Sequence, residues 1–429
     1  MSGEGERGGA TANRSTKGRM VKDSKNLIVG LDIGTSKIVA IVAEVAPDGA
    51  LNVVGLGSQP SRGLKRGVVV NIEATMASIQ RVLEEAELMA DCRIAEVTTG
   101  IAGSHIRSLN SAGMVAIKEK EVTQADIDRV IDTAKAIAIP NDQQILHILP
   151  QEFIIDGQDG VREPLGMSGV RLEVKVHIVT GAVSAVENIA KCVRRCGIEV
   201  RDIVLQPLAS AAAVLDDDEK DLGVCLMDIG GGTTDIAVFA GGAIRHTAVI
   251  PIAGDQVTND IAMTLRTPTK EAEEMKVRHG CALRQLADPG DVIEVPGVGD
   301  RAPRKLSRPM LAEVIEPRIE ELYTLVQGEL RRSGFEELLS SGIVLTGGTA
   351  MLQGMAELGE EVFHLPCRVG APSYLGGLAD VVRSPRYSTA MGLLMHGRDR
   401  WLRAQVARAQ VQGIGGVAER MKQWFKANF

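Results

Sequence analysis

Two aspartates set out the chemistry of this chain. Asp32 closes the apolar run Leu27-Ile-Val-Gly-Leu31 and leads into Ile33, Gly34, Thr35, Ser36 and Lys37. Asp228 closes Leu226-Met227 and leads into Ile229, Gly230, Gly231, Gly232, Thr233, Thr234 and Asp235. Each turn combines a carboxylate, hydroxyls and backbone amides that no side chain obstructs. Glycine lets a ligand approach the backbone closely, and successive inward-pointing amides form an anion-binding nest. The set suits a polyphosphate carrying a divalent cation. A single glycine-rich turn is also common punctuation with no ligand at all; the repetition is what favours a site. Apolar strands flank both turns, so the pair reads as a duplicated α/β unit. Its two turns would face one another across a cleft, each holding part of one phosphate chain.

Two further junctions belong with these turns. Ile203-Val-Leu runs into Gln206-Pro-Leu-Ala-Ser210 as a strand entering a helix, with Gln206 at the boundary. Ser341 to Thr346 reads as a strand ending in Gly347-Gly348-Thr349, a turn expected to open a helix and present its amides to a ligand.

Around these groups, strands are expected over 51–58 and 67–70. A helix follows over 72–90, with Ile72, Met76, Ile79, Val82, Leu83 and Ala86 on one face. Residues 91–176 read as an α+β insert: strands over 94–101, 113–117, 144–155 and 171–179 surround a helix capped by Thr123, with Asp126 at its third position. His105, His147 and His177 are scattered through and just beyond it and read as structural or surface residues. The helix over 183–196 is expected to stop at Gly197, and Asp216 to Glu219 reads as a solvated acidic loop. Past Asp235, helices are expected over 254–265, 269–279, 311–332 and 388–396. A loop with Pro289, Pro296, Gly297 and Gly299 precedes the third of these.

Composition narrows the class. At 429 residues the chain has room for two or more domains, and with only 3% aromatic residues its core must be mostly aliphatic, as in sheets covered by helices. A net charge of −7 argues against non-specific nucleic-acid binding by the whole chain. The six cysteines show neither CxxC nor zinc spacing, which reads as a reduced, cytosolic protein. The N-terminus lacks a signal-peptide core, and no apolar run is long enough to span a bilayer. Residues 1–25, poor in large apolar side chains, read as a disordered leader.

The C-terminal end changes character. Residues 397–412 are charged and polar and read as a spacer, in part helical. In 413–429, Val417, Met421, Trp424, Phe425 and Phe429 gather within about 140° of a helix turning ~100° per residue. Arg420, Lys422 and Lys426 flank them. A packed terminal helix can show the same pattern, but the polar spacer and flanking cations are marks of an interfacial membrane helix. Burying such side chains gains roughly 1.5–3 kcal/mol each, and each cation near an anionic leaflet adds about 1 kcal/mol. Partial insertion and the ordering of the helix offset much of that. One tail should bind reversibly, and stable attachment calls for many tails held together, which favours a polymer.

The two hairpins, the Gln206 junction and the Gly347 turn follow the order of the actin/Hsp70/sugar-kinase ATPases, which residues 27–396 resemble. Leu345-Thr-Gly-Gly-Thr, Lys276-Val-Arg-His-Gly-Cys281, Ala312-Glu-Val-Ile-Glu-Pro317-Arg, Gly169-Val-Arg-Leu-Glu-Val-Lys-Val-His177 and the amphipathic end sharpen this to a resemblance to the FtsA family, bacterial cell-division homologues of actin. The resemblance implies an actin-like ATPase fold of class α/β: two duplicated ribonuclease-H-like domains around a nucleotide cleft, an inserted α+β subdomain and a C-terminal amphipathic helix. It assigns 26–90 and 177–220 to domain 1A, 91–176 to subdomain 1C, 221–255 and 339–396 to 2A, 256–338 to 2B, 397–412 to a linker and 413–429 to membrane targeting.

It also implies ATP with Mg²⁺ as ligand. Gly34, Thr35, Ser36 and Lys37 would form the first phosphate loop, and Gly230 to Thr234 the second. Asp32 and Asp228 would organise Mg²⁺, largely through water. Gly347, Gly348 and Thr349 would form the adenosine turn, and Glu273 and Lys276 the adenine/ribose clamp, a pair that otherwise reads as an ordinary i, i+3 surface pair. Gln206 would orient the attacking water near Asp228 and Asp235. A neutral Gln is a weak base, so hydrolysis is expected to be slow, with ATP mainly a structural ligand.

The implied partners are the C-terminal peptide of FtsZ, the tubulin-like division protein, through 2B; further copies of the chain in protofilaments; anionic lipids; and later division proteins through 1C. The implied place is the cytoplasmic face of the inner membrane at the septum. Arg278, Arg284, Arg301, Arg304, Lys305 and Arg308 make 2B locally basic, as a carboxylate-bearing peptide or a plain solvated face would require. Other readings are a small-molecule kinase of the same superfamily, for which no general-base motif stands out, and a pilus-assembly ATPase, against which the tail argues. A chaperone of the Hsp70 kind would require a further peptide-binding domain.

Overall fold

The first aspartate hairpin forms because its strands are apolar on both faces and its turn carries no bulky residue. A computed structural model describes residues 26–299, 302–373 and 376–406. Strands β1 (Leu27–Ile33) and β2 (Lys37–Val45) pair antiparallel with Ile33 opposite Ile38, and Gly34 N–H donates to Lys37 O at 3.0 Å to close the turn. β3 (Leu51–Pro60) extends the meander. A two-residue pair, β4 (Leu64–Lys65) and β5 (Val68–Val69), leads to α1 (Ile72–Ala90), whose bounds match the expectation. Asn71 caps α1 by accepting from Ala74 N–H, and Asp91 ends it in the left-handed region. β6 (Glu96–Ile101) runs parallel to β1.

The insert follows as β7 (Arg107–Ala116), α2 (Gln124–Lys135), β8 (Gln143–Ile155), β9 (Gln158–Val161) and β10 (Arg171–Ala182). Its sheet has the order β7-β10-β8-β9, all antiparallel, and α2 packs against β7 and β10. Thr123 and Asp126 cap α2 reciprocally, as expected. The expected start of the insert at 91 is too early: β6 lies in the first sheet between β1 and β11, so the insert's own sheet begins at Arg107, and β10 carries it to Ala182. The apolar run at 94–101 was ambiguous because a buried parallel strand carries no alternation to assign it to one sheet.

The chain returns through α3 (Val183–Arg195), β11 (Glu199–Leu205), α4 (Gln206–Val214) and α5 (Asp217–Leu222). α5 replaces the expected acidic loop. Asp216 and Glu219 form a capping box, and the carboxylates sit in the first turn, where the helix dipole favours them. The second half then repeats the first: β12 (Val224–Ile229), β13 (Thr234–Ala240), β14 (Ala243–Ile250), α6 (Gly254–Leu265), α7 (Thr269–His279), β15 (Val292–Val295), β16 (Arg304–Ser307), α8 (Arg308–Ser333), β17 (Ile343–Thr346), α9 (Met355–Phe363), β18 (Cys367–Val369), α10 (Ala379–Val382) and α11, helical over 388–406.

The two main sheets have matching orders, β3-β2-β1-β6-β11 and β14-β13-β12-β17-β18. Within each, the first three strands of the half form an antiparallel meander and the last two run parallel to the first. The duplication expected from the two aspartate motifs is therefore a duplication of the whole half. Three aliphatic layers hold it together. One lies under α1 and α3, and another under α6, α8 and α9. The third is shared: β2 from the first sheet and β12 and β13 from the second meet across α4 and α11. Those two helices thus run through the seam between the halves.

Three local expectations need correction. The loop before α8 contains the β15–β16 hairpin, with Ile293 opposite Leu306, both buried. Pro289 before it and Pro296, Gly297 and Gly299 in its connection hid so short a strand pair. The Gly347 turn opens a single 3-10 turn, Thr349 to Met351, and α9 starts only at Met355. The helix expected to end at 396 runs on through Val406, within the stretch expected to be in part helical, because Trp401 packs on the shared core and gives it an apolar anchor. The tail residues Val417, Arg420, Met421, Lys422, Trp424, Phe425, Lys426 and Phe429, the leader and Arg301 lie outside the described residues.

Candidate functional site

A cavity of about 540 Å³ opens between the halves where their turns meet. Seventeen of the candidate groups line this cavity: Asp32, Gly34, Thr35, Ser36, Lys37, Gln206, Asp228, Gly230, Gly231, Gly232, Thr233, Asp235, Glu273, Lys276, Gly347, Gly348 and Thr349. Thr234 is the exception. As the first residue of β13 it points away, is fully buried and donates to Ile252 O at 2.7 Å.

The turns interlock. Ser36 Oγ lies 3.3 Å from Asp255 Oδ1, bridging the first hairpin to α6. A Cβ on Gly231 would fall 1.6 Å from Ser36 Oγ, and one on Gly232 would fall 2.7 Å from Thr35 Oγ1, so these glycines admit the opposite turn. Thr35 Oγ1 accepts from Gly67 N–H at 3.0 Å, and Thr349 Oγ1 donates to Gly230 O at 2.7 Å. Gly347 sits at φ +88° with Asp228 Oδ1 and Ile229 O only 2.5 Å from where a Cβ would be, a position closed to any side chain.

Three carboxylates face the cavity. Asp32 Oδ1 accepts from Gln206 Nε2 at 3.0 Å. Asp228 Oδ2 accepts from Ser210 Oγ at 2.5 Å and Thr389 Oγ1 at 3.1 Å. Asp235 Oδ2 accepts from Thr233 Oγ1 at 3.0 Å, while its Oδ1 is buried with no protein partner. Burial pushes Asp32 up to about 7 against the pull of Lys37, and pushes Asp235 up to about 8 with the Asp228 charge assisting. Burial raises Asp228 as well, opposed by its two hydroxyl donors. Lys37 is lowered to about 8 by burial, opposed by Asp32; its Nζ donates to Arg386 O and sits 4.9 Å from the centre of the Tyr387 ring.

Such a set, buried and short of positive charge, fits a divalent cation. Among the described residues no three His, Cys, Asp or Glu side chains converge as a direct metal cage. The fit is therefore to a hydrated ion shared with phosphate oxygens, the habit of Mg²⁺. Asp32, Asp228 and Asp235 would hold it, and it would neutralise phosphate charge there.

Glu273 and Lys276 are only half a surface pair, since Glu273 is exposed. Lys276 is buried, with Nζ 2.7 Å from Glu273 Oε2 and donating to Thr258 Oγ1 and Gly254 O. Sequence reasoning missed Pro385 and Arg386, in the 3-10 turn just before α11, and Thr389 in its first turn, which line the cavity, and Ser210 behind it. Ser210 had a signal, since it lies one helical turn after Gln206. The others had none, because chain reversal alone brings them in. Within 256–338, Arg278, Arg284 and Arg308 lie within 4.0 Å of Glu274, Glu313 and Asp291 respectively, so the cations of this stretch are partly met by its own carboxylates.

Known proteins match this architecture. A family model described as Cell division protein FtsA matches residues 225–392, and one described as the SHS2 domain inserted in FTSA matches 103–180. The chain is 63% identical over 414 residues to the Cell division protein FtsA of Pseudomonas aeruginosa, covering 95% of this chain and 99% of that one. It is 47% identical to the protein of the same name from Escherichia coli K12, covering 94% and 99%. The chain belongs to the FtsA family.

It is thus a cell-division protein of the actin-like kind. The SHS2 match at 103–180 agrees with the strand pairing that starts the FtsA insert after β6. Solved structures share the FtsA fold at low identity. The PilM-PilN type IV pilus biogenesis complex matches with a TM-score of 0.63 at 18% identity, over 86% of this chain and 98% of that one. MreB5 of Spiroplasma citri bound to ADP matches with 0.57 at 15% identity, over 89% and 99%. These likenesses carry the actin-like ATPase fold.

Proposed function

We propose that the chain is an ATP-binding adaptor of cell division that polymerises on the cytoplasmic face of the inner membrane and tethers FtsZ there. ATP with Mg²⁺ lies in the cavity, its phosphates between the Asp32 and Asp228 turns and its nucleoside toward Glu273, Lys276 and Gly347-Gly348-Thr349. Nucleotide bound on both walls holds the halves in one relation and so sets the shape a copy presents to the next. Residues 256–338 receive the acidic C-terminal peptide of FtsZ, the insert receives later division proteins, and 413–429 lies in the anionic leaflet at the septum. Turnover is slow at most, since Gln206 is a neutral orienter.

The observation that carries this reading is the convergence of three glycine turns and three buried carboxylates on one cavity between duplicated halves. That arrangement makes the relation of the halves depend on the ligand. No helix among the described residues is long and apolar enough to cross a membrane, so attachment in this reading falls to the terminal segment. Co-sedimentation with anionic vesicles and ATP tests it, with the full chain and with a chain lacking 413–429, each with FtsZ added. The full chain should sediment and bring FtsZ down, and the truncated chain should do neither. A full chain that stays in the supernatant and leaves FtsZ there would overturn the adaptor reading.

A further inference from the structure

We propose that Ser210 and Thr389 are positioning residues for Asp228: they fix one carboxylate oxygen so that the other faces the cation of a bound Mg²⁺–nucleotide. The inference rests on the nucleotide reading of the cavity. Oδ2 of Asp228 accepts from Ser210 Oγ at 2.5 Å and from Thr389 Oγ1 at 3.1 Å, and the two hydroxyls lie 3.0 Å apart. Neither hydroxyl group is on the turn that carries Asp228. Ser210 comes from α4 and Thr389 from the first turn of α11, the two helices that run through the core shared by the halves. With Oδ2 occupied twice, the carboxyl group cannot rotate without breaking both bonds, and Oδ1 stays beside the Gly347 turn on the cavity wall.

The placement of Ser210 has a second consequence. It stands four residues after Gln206, so both lie on one face of α4. Gln206 holds Asp32 of the first half while Ser210 holds Asp228 of the second. A single rigid turn of helix therefore sets the spacing of the two motif carboxylates. A hydrated Mg²⁺ demands near-ideal octahedral geometry, so that spacing decides how well its water shell is met. Ser210 and Thr389 should matter for the ion more than for the nucleotide.

The test is the Mg²⁺ dependence of nucleotide affinity in the full chain. A non-hydrolysable ATP analogue is titrated with Mg²⁺ present and with EDTA, and thermal unfolding is recorded for each variant. In the wild type Mg²⁺ should tighten binding. Ser210→Ala and Thr389→Val should each reduce that gain about tenfold, the scale of one hydrogen bond to a charged group. In Ser210→Ala, whose hydroxyl lies behind the cavity wall, affinity in EDTA should change by less than about twofold. Ser210→Thr and Thr389→Ser keep the hydroxyl and should restore the gain. Equal losses with and without Mg²⁺, or an unchanged Mg²⁺ gain in folded Ser210→Ala and Thr389→Val, overturn the positioning role while leaving the nucleotide site intact. A folded wild type that binds the analogue in neither condition overturns the nucleotide reading and this inference with it, whereas one that binds equally with Mg²⁺ and with EDTA overturns this inference alone.

Discussion

Gln206 Nε2 donates to Asp32 Oδ1 across 3.0 Å, tying the first residue of α4 to the end of strand β1. The bond engages the amide nitrogen and leaves the amide oxygen as the acceptor able to orient a water. Gln206→Ala removes that acceptor without adding charge. Single-turnover phosphate release from ATP-loaded protein should slow about tenfold, less than the roughly 10²–10⁴-fold of a true general base because a neutral amide only orients the water. Nucleotide affinity should move little. An unchanged rate would remove Gln206 from the hydrolytic role.

The interlock of the two turns gives a second prediction. Gly231→Ala places a Cβ 1.6 Å from Ser36 Oγ and 3.1 Å from Asp255 Oδ1. The halves must part or the turn must distort, and nucleotide affinity should fall at least about tenfold, a loss of 1.4 kcal/mol. Ser36→Gly added to Gly231→Ala removes the obstructing side chain and should recover much of the loss. Failure of the double variant to recover would place the damage within the turn itself.

The sequence disclosed the site better than the domain borders. Asp32, Asp228 and the Gly347 turn are local patterns, complete within a few residues each, and so were readable without the fold. The membership of β6 was not, since Glu96–Ile101 is a buried parallel strand whose partner β1 lies far back in the chain. Thr389, on α11, and Arg386, in the turn just before it, reach the cavity only because the chain there enters the seam between the halves, a relation with no local signature. α5 and the β15–β16 hairpin were missed for another reason: acidic and Pro/Gly-rich stretches read as loops, while a capping box and one buried cross-strand pair were enough to order them.

Acid should destabilise the fold through His147. Its Nε2 accepts from Leu205 N–H at 2.9 Å, a bond that protonation destroys because the amide cannot become an acceptor. Burial lowers His147 to about 4, with Asp202 opposing and His396 assisting. The folded value lies below the ordinary 6.5, so between those values the unfolded chain binds more protons. Stability should therefore fall as pH drops from 6.5 toward 4, by up to about 1.4 kcal/mol per pH unit from this group. His177, also lowered to about 4 by burial, acts in the same window. Denaturant midpoints from pH 7 to 5 measure the slope, and His147→Gln should flatten it; an equal slope in that variant would exclude His147 as the source.

The insert offers the last prediction, because it bridges both halves although it grows from the first. Ser108 Oγ donates to Thr247 O at 2.9 Å, Asn110 Nδ2 to Arg245 O at 3.3 Å and Gln151 Nε2 to Ile244 O at 2.8 Å. All three acceptors are backbone carbonyls of β14, the edge strand of the second sheet. Gln151 is buried, so Gln151→Ala strands the Ile244 carbonyl and should cost about 1–3 kcal/mol of stability. If the seam also restrains opening of the halves, Ser108→Ala with Asn110→Ala should speed release of a bound fluorescent nucleotide several-fold. Those two positions are more exposed, so the stability cost there should be smaller. Faster release with near-normal stability would assign the insert a part in holding the cleft shut. Lower stability with unchanged release would confine the seam to folding, and the cleft would then be governed by α4, α11 and the ligand alone.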